Sequence, residues 1–293
     1  MALAVTLILT ACEKPIISDS DATDEKGNPV EQTDVTKRFT FTLKGDFSDE
    51  WKPITRGYLA ADGKDLTDVW VLDYDADVHL LQQLHQNDNT AEDFGKPVLN
   101  LKYGMHHIYF IASRGTGAEI STSEKTITWE KVSDTFYKDY EVTVVNTSNG
   151  NRAVTLDRCV TRLRLTFTDA VSSDAAVIAI TPSTWYYGIN YLTGEPAASK
   201  TSDTRCINIP ATEVGHTGMQ VSLYGFSAAD EWQADVTVQS QKANNQVIGG
   251  AVITDVPFKA NRITEFSGPI FSTEGTLGLS LTDKWDDAYT GTW

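Results

Sequence analysis

Arg152-Ala-Val-Thr-Leu-Asp-Arg-Cys-Val-Thr-Arg-Leu-Arg-Leu-Thr-Phe167 is the stretch that organises this chain. Val154, Leu156 and Val160 fall on even positions, and Leu163, Leu165 and Phe167 on odd ones. Strand side chains alternate between two faces, so the buried face changes near Thr161-Arg162. A bulge does this, and so does a chain leaving one core and entering another. The second reading sets a domain boundary here, with one domain over residues 36–160 and another over 161–293.

Strand patterns extend outward on both sides. Before the break come Phe39-Thr-Phe-Thr-Leu43, Val69 to Tyr74, Val98 to Leu101, Ile108 to Ala112, Thr126 to Trp129 and Tyr140 to Val145. After it come Ala176 to Ile180, Cys206 to Ile209, Met219 to Tyr224, Ala234 to Val238, Val247 to Ile253, Arg262 to Phe266 and Leu277 to Leu281. Gly, Asn, Asp and Ser clusters separate them. Many short strands divided by turn signals predict an all-β protein built of sandwiches. The spacing of Leu80, Leu81 and Leu84 predicts one short helix over Val78 to Leu84. The halves share element types without a residue-level repeat.

The length of 293 residues suits two domains, and 41% hydrophobic residues suffice for two cores. A formal charge of −16 argues against nucleic acid as a partner. Cys159 and Cys206 remain after Cys12, and a chain this long folds without disulfides. Two free, buried thiols are expected.

The start of the chain is of another kind. Met1 to Ala11 carries no charge, and Glu13, Lys14, Asp19 and Asp21 follow at once. The run is too short to span a bilayer, which takes roughly 17–25 apolar residues, and reads as an export signal. Leu9-Thr-Ala-Cys12 resembles the lipobox of bacterial lipoproteins, which implies that Cys12 is lipidated and becomes the mature N-terminus. An ordinary buried strand is the alternative. Residues 13–35 read as a polar linker.

The search for chemistry finds little. His106-His107 are strand neighbours that point to opposite faces, which disfavours a shared metal, so they are read as turn and strand-edge residues. Asp73-Tyr-Asp-Ala-Asp77 opens like a calcium loop, but Val78 stands where such a loop needs Gly and Leu84 where it needs Glu. It is read as a solvated turn. Arg114-Gly-Thr-Gly117 precedes no long helix, and no Gly-x-Ser-x-Gly elbow exists. Trp185-Tyr-Tyr187 suits either sugar stacking or a core. No cofactor, metal or catalytic residue is expected.

Several motifs occur in a suggestive order: Thr55-Arg-Gly57, Leu66 to Tyr74, His107 to Ala112, Asn151 to Arg158 and a Trp-rich C-terminus. With the lipobox and linker, they make the chain resemble the fimbrillin-type subunits of the type V pili of Bacteroidales. The resemblance implies two tandem transthyretin-like, Greek-key β-sandwich domains and export to the outer membrane surface as a lipoprotein. It further implies a cut by an Arg-specific surface protease and assembly with other subunits by strand exchange.

The residues are compatible with that scheme. A cut at Arg56–Gly57 falls beyond the Phe39–Phe47 strand and would free Phe39, Phe41, Leu43 and Phe47, whereas a cut at Arg38 would leave the strand in place. A replacement strand needs large apolar residues on one face. The odd positions Leu277, Leu279, Leu281, Trp285, Tyr289 and Trp293 supply them, though an ordinary last strand pairing within its own domain reads the same way. The expected role is a stalk subunit. The alternatives are a pilus anchor, or a surface lipoprotein that binds glycans or other ligands.

Overall fold

The computed structural model describes residues 36–45, 57–58, 66–272, 278–282 and 291–292. They are organised as β-strands, with a single 3-10 turn at Ala211–Glu213.

The first sandwich holds β1 (Thr36–Gly45), β2 (Gly57–Tyr58), β3 (Asp68–Asp75), β4 (Leu80–Gln86), β5 (Val98–Lys102) and β6 (Gly104–Ser113). The hairpin β7 (Glu119–Ser121) and β8 (Thr126–Thr128) interrupts it, and β9 (Thr135–Val144) and β10 (Asn151–Arg158) complete it. Its sheet runs β2-β1-β10-β9-β6-β3-β4, with β5 on β1. β9 and β10 share only the pairs Tyr137–Asp157 and Phe136–Arg158. The sheet folds over at this short contact. Phe39, Phe41 and Leu43 of β1 then share one core with Val69 and Val71 of β3 and with Ile108 and Phe110 of β6.

The second sandwich holds β11 (Val160–Phe167), β12 (Val177–Pro182), β13 (Trp185–Asn190), β14 (Pro196–Lys200) and β15 (Arg205–Asn208). It continues through β16 (Gln220–Phe226), β17 (Trp232–Gln241), β18 (Val247–Phe258), β19 (Ile263–Gly268), β20 (Gly278–Thr282) and β21 (Gly291–Thr292). One sheet runs β16-β11-β19-β20-β21 and the facing one β15-β12-β17-β18.

The two halves repeat one topology. Strands β5-β1-β10 correspond to β16-β11-β19, and β4-β3-β6-β9 to β15-β12-β17-β18. In each half the first strand lies parallel to the last, β1 to β10 and β11 to β19. The likeness lies in strand order, which explains why the sequence carries no residue-level repeat.

Each half has an inserted hairpin, β7–β8 in the first and β13–β14 in the second, and the two combine in one sheet, β14-β13-β8-β7. Ile127, Trp129 and Val132 thereby join the second core. β3 also serves both cores. Val69 and Val71 face the first, while Trp70, Leu72 and Tyr74 face the second. A strand covered on both faces has no polar alternation, which accounts for Val-Trp-Val-Leu in its sequence.

The segment expected to be a helix over Val78 to Leu84 is instead a turn and a strand. Val78 has a φ of 63°. The Asp75 carboxylate accepts hydrogen bonds from the backbone N–H of Asp77 and of His79, at 2.9 and 2.8 Å. This turn returns the chain along β3, where β4 pairs from Val69–Gln86 to Tyr74–Leu80. An open edge on β3 outweighs a weak local preference for helix.

Candidate functional site

The strand that the sequence marks for release is not at an edge. β1 lies between two partners. Thr36 to Thr40 pair antiparallel with Lys102 to Val98 of β5, and Thr40 to Gly45 pair in parallel with Asn151 to Leu156 of β10. Further backbone bonds run from Thr40 N to Gly150 O at 2.7 Å, Phe41 N to Pro97 O at 2.9 Å and Leu43 N to Gly95 O at 3.1 Å.

Alternation along Thr36-Lys-Arg-Phe-Thr-Phe-Thr-Leu-Lys-Gly45 drives Phe39, Phe41 and Leu43 inward, each at 0% exposure. The Phe41 ring sits 5.1 Å from Phe110 and 6.0 Å from Tyr140. Arg152 covers the Phe39 ring at 5.3 Å. Gly150 is required by this packing, because a Cβ there would stand 2.2 Å from the Arg38 carbonyl oxygen. In the sequence this glycine reads only as a turn residue.

The expected cut site lies at the border of the described residues. Arg56 falls outside them, while Gly57 opens β2 and pairs with Gly45, next to Tyr58 with Lys44. Cys12, Phe47, Leu277, Trp285, Tyr289 and Trp293 also fall outside. Leu279 and Leu281 lie on β20, opposite Phe266 and Thr264 of β19. In this molecule that segment therefore pairs within its own half.

A buried polar cluster fastens β5, which holds β1. His106 lies within β6 rather than in a turn, at 2% exposure, and the Asp73 carboxylate is fully buried. His106 Nδ1 is 2.7 Å from Asp73 Oδ1, and Nε2 is 2.9 Å from the Lys102 carbonyl oxygen. Both partners only accept, so the geometry suits a ring protonated on both nitrogens. Burial pushes the His106 pKa down, but the hydrogen bond and charge of Asp73 outweigh it and the net shift is upward. Gln82 Nε2 donates to Asp73 Oδ2 at 3.0 Å and to the Asn100 carbonyl at 2.7 Å. Lys102 and Asn100 are the β5 partners of Thr36 and Arg38. The Asp73 to Asp77 motif thus divides between a buried pair and a turn.

A second cluster fixes the junction of the halves. Arg158 donates from Nε and Nη2 to the two Asp134 carboxylate oxygens, at 2.6 and 3.1 Å, and from Nη1 to Asn261 Oδ1 at 3.0 Å. β10 ends at Arg158 and β11 begins at Val160, in a different sheet. Tyr74 and Tyr191 share a buried hydroxyl–hydroxyl bond of 2.8 Å, and the Tyr137 hydroxyl donates to the Tyr191 carbonyl at 3.0 Å.

Both remaining thiols are free, but only Cys159 is buried, and desolvation raises its pKa far above the ordinary thiol range. Cys206 is exposed on β15, contrary to the expectation of two buried thiols. β15 is an edge strand whose side chains alternate, with Ile207 partly buried and Cys206 and Asn208 outside. Trp185 and Tyr187 are core residues, and Trp185 Nε1 donates to the Tyr224 carbonyl at 3.0 Å. Among the described residues no cluster of three or more His, Cys, Asp or Glu side chains is placed to hold a metal.

Three solved structures share this fold. A candidate adhesin from Bacteroides ovatus aligns over 93% of this chain and 97% of its own, at 13% identity and a TM-score of 0.53. A candidate polysaccharide-binding protein (DUF1812) from Bacteroides thetaiotaomicron aligns over 86% and 98%, at 10% identity and a TM-score of 0.54. A candidate adhesin, also from Bacteroides thetaiotaomicron, aligns over 80% and 92%, at 9% identity and a TM-score of 0.51. Among curated proteins none matches the chain. A family match covers residues 118–292, which takes in the β7–β8 hairpin, β9 and β10 of the first sandwich and the second sandwich. By that match the chain belongs to the family described as "Family of unknown function (DUF6562)".

Proposed function

We propose that this protein is a structural subunit of a cell-surface pilus, not an enzyme. In this reading residues 1–35 are the signal and linker, 36–160 the first domain and 161–293 the second. The chain is exported as a lipoprotein through Cys12 and cut after Arg56, and it assembles as a stalk subunit by strand exchange.

One observation carries the reading: β1 is a central strand attached at its C-terminal side through the segment that holds Arg56. Removing it leaves β5 and β10 each without a partner along a shared slot. It also withdraws Phe39, Phe41 and Leu43 from the core, at about 1.5–3 kcal/mol for each large apolar side chain. The sum is on the order of 5–9 kcal/mol, comparable to the stability of a whole domain. A subunit without β1 therefore strongly favours a strand from a neighbour.

The test compares wild type with Arg56→Ala after limited trypsin treatment, by electron microscopy and N-terminal sequencing. Wild type should lose residues through Arg56 and form filaments slowly, with a rate that rises with concentration. Arg56→Ala should stay monomeric. Filaments of normal length from Arg56→Ala, with β1 still attached in every subunit, would sink the proposal.

A further inference from the structure

β5 has two edges and, among the described residues, one strand beside it, β1. The bond from Phe41 N to Pro97 O shows which carbonyls face β1. Backbone carbonyls alternate along a strand, so those of Asn100 and Lys102 point to the other side. There Gln82 and His106 take the place of a strand, meeting the Asn100 and Lys102 carbonyls at 2.7 and 2.9 Å. Both also reach Asp73, Gln82 at Oδ2 and His106 at Oδ1. One buried carboxylate thus aligns the two side chains that tie β5, and through it β1, to the facing sheet.

The two ties differ in chemistry. The Gln82 amide donates at any pH. The His106 ring donates from both nitrogens only while it is protonated. Without that proton, one nitrogen turns a lone pair toward a carboxylate or a carbonyl oxygen, and a buried acceptor loses its donor. The surroundings favour the proton. β3 contributes Asp73 and Asp75, whose charges both raise the His106 pKa. β4 contributes neutral Gln82, and β9 places Val142 opposite His106 with Tyr140 two positions on. On β5 the Lys102 side chain is exposed, and so is Arg38 on β1.

We propose that the Asp73–His106 pair is a pH-sensitive latch on β1, closed while the imidazole is protonated and opened when it is not. The latch is fully closed below about pH 6.5, the unfolded value, and opens as pH rises through the raised folded value. The inference concerns control of the strand-release site and rests on that reading for the event it controls. The latch itself is present in the uncut chain.

Hydrogen exchange in the uncut chain tests it, with each rate divided by that of unstructured chain at the same pH. From about pH 6 to about pH 9, protection of residues 36–45 and 98–102 should fall about threefold or more in wild type and stay level in His106→Gln, while residues 220–226 change in neither. In protein trimmed with trypsin at one pH and then shifted, size-exclusion chromatography should show the N-terminal fragment leaving faster at the higher pH by a similar factor. Should His106→Gln not fold, the midpoint of protection loss in wild type must match the His106 titration read by NMR. Level protection in wild type, an equal fall in His106→Gln or a mismatched midpoint overturns the latch and leaves the strand-release reading intact. Protection that falls as expected, with no fragment released at any pH, overturns strand release and leaves the latch standing. Fragment release at a rate indifferent to pH overturns the control of release by the latch.

Discussion

β1 and β11 hold the same place in their sandwiches and are held differently. Each is central, and each runs parallel to the last strand of its half. β1 buries one face, with Arg38 exposed and Thr40, Thr42 and Lys44 partly exposed on the other. β11 is more fully covered: Thr161, Leu163, Leu165 and Phe167 are buried on one face and Val160 and Arg164 on the other, with Arg162 and Thr166 partly exposed. β11 is also joined to β10 through Cys159, beside the Arg158 cluster. Under the proposed scheme one topology would serve both a strand that leaves and a strand that stays. The difference comes from what covers the outer face and from how the ends are tied.

The largest change should come from Arg158→Ala, which removes the bidentate partner of buried Asp134, leaves its carboxylate to Arg114 at 3.7 Å and releases Asn261. A loss of about 3–5 kcal/mol is expected. Calorimetry should show one transition separating into two as the halves uncouple, and a single unchanged transition would remove the junction from the comparison.

Leu43→Ala and Leu165→Ala come next, each costing about 2–4 kcal/mol as a buried Leu truncation. Only Leu43→Ala should speed tryptic loss of the N-terminal segment. Equal acceleration by both would mean that β1 is no easier to release than β11.

The pH dependence should be smaller and confined to the first sandwich. The folded pKa of His106 is raised above its unfolded value, so its contribution is fully present below about 6.5, the unfolded value. It is lost as pH rises from there through the raised folded value. Urea midpoints should fall across that window in wild type, and His106→Gln should flatten the fall. A midpoint that rises with pH through the window would refute the assignment.

Tyr74→Phe should cost least, about 0.5–1.5 kcal/mol for one neutral hydrogen bond. Urea denaturation measures it, and a loss no larger than for an exposed tyrosine would show that the Tyr191 contact does not couple the halves.

The strands themselves were readable wherever one face is wet. β1, β10 and β17 alternate cleanly, and the change of face in Arg152 to Phe167 marks the passage from one sheet to another. β3 was found as apolar, but its two-sided burial depends on Tyr191, far along the chain. β4 was misread because its leucines lie on an exposed edge, where spacing says little. That β1 is central rather than peripheral follows from pairing with β5 and β10, which no local pattern records. The Asp73–His106 pair was invisible for the same reason. Two motifs, each weak alone, meet only when β3 and β6 align.

The sheet made by the two inserted hairpins has a mechanical consequence. Without it, tension along the molecule would pass between halves through the backbone at Cys159 and the side chains around it. The β8–β13 ladder, from Gly188–Thr128 to Asn190–Thr126, adds a second load path beside that link. Two struts at separate points resist bending and twisting, where one would act as a hinge. In the proposed pilus, a fibre of such units would behave as a stiff rod rather than a string of beads, and its persistence length would be set by the joints between copies.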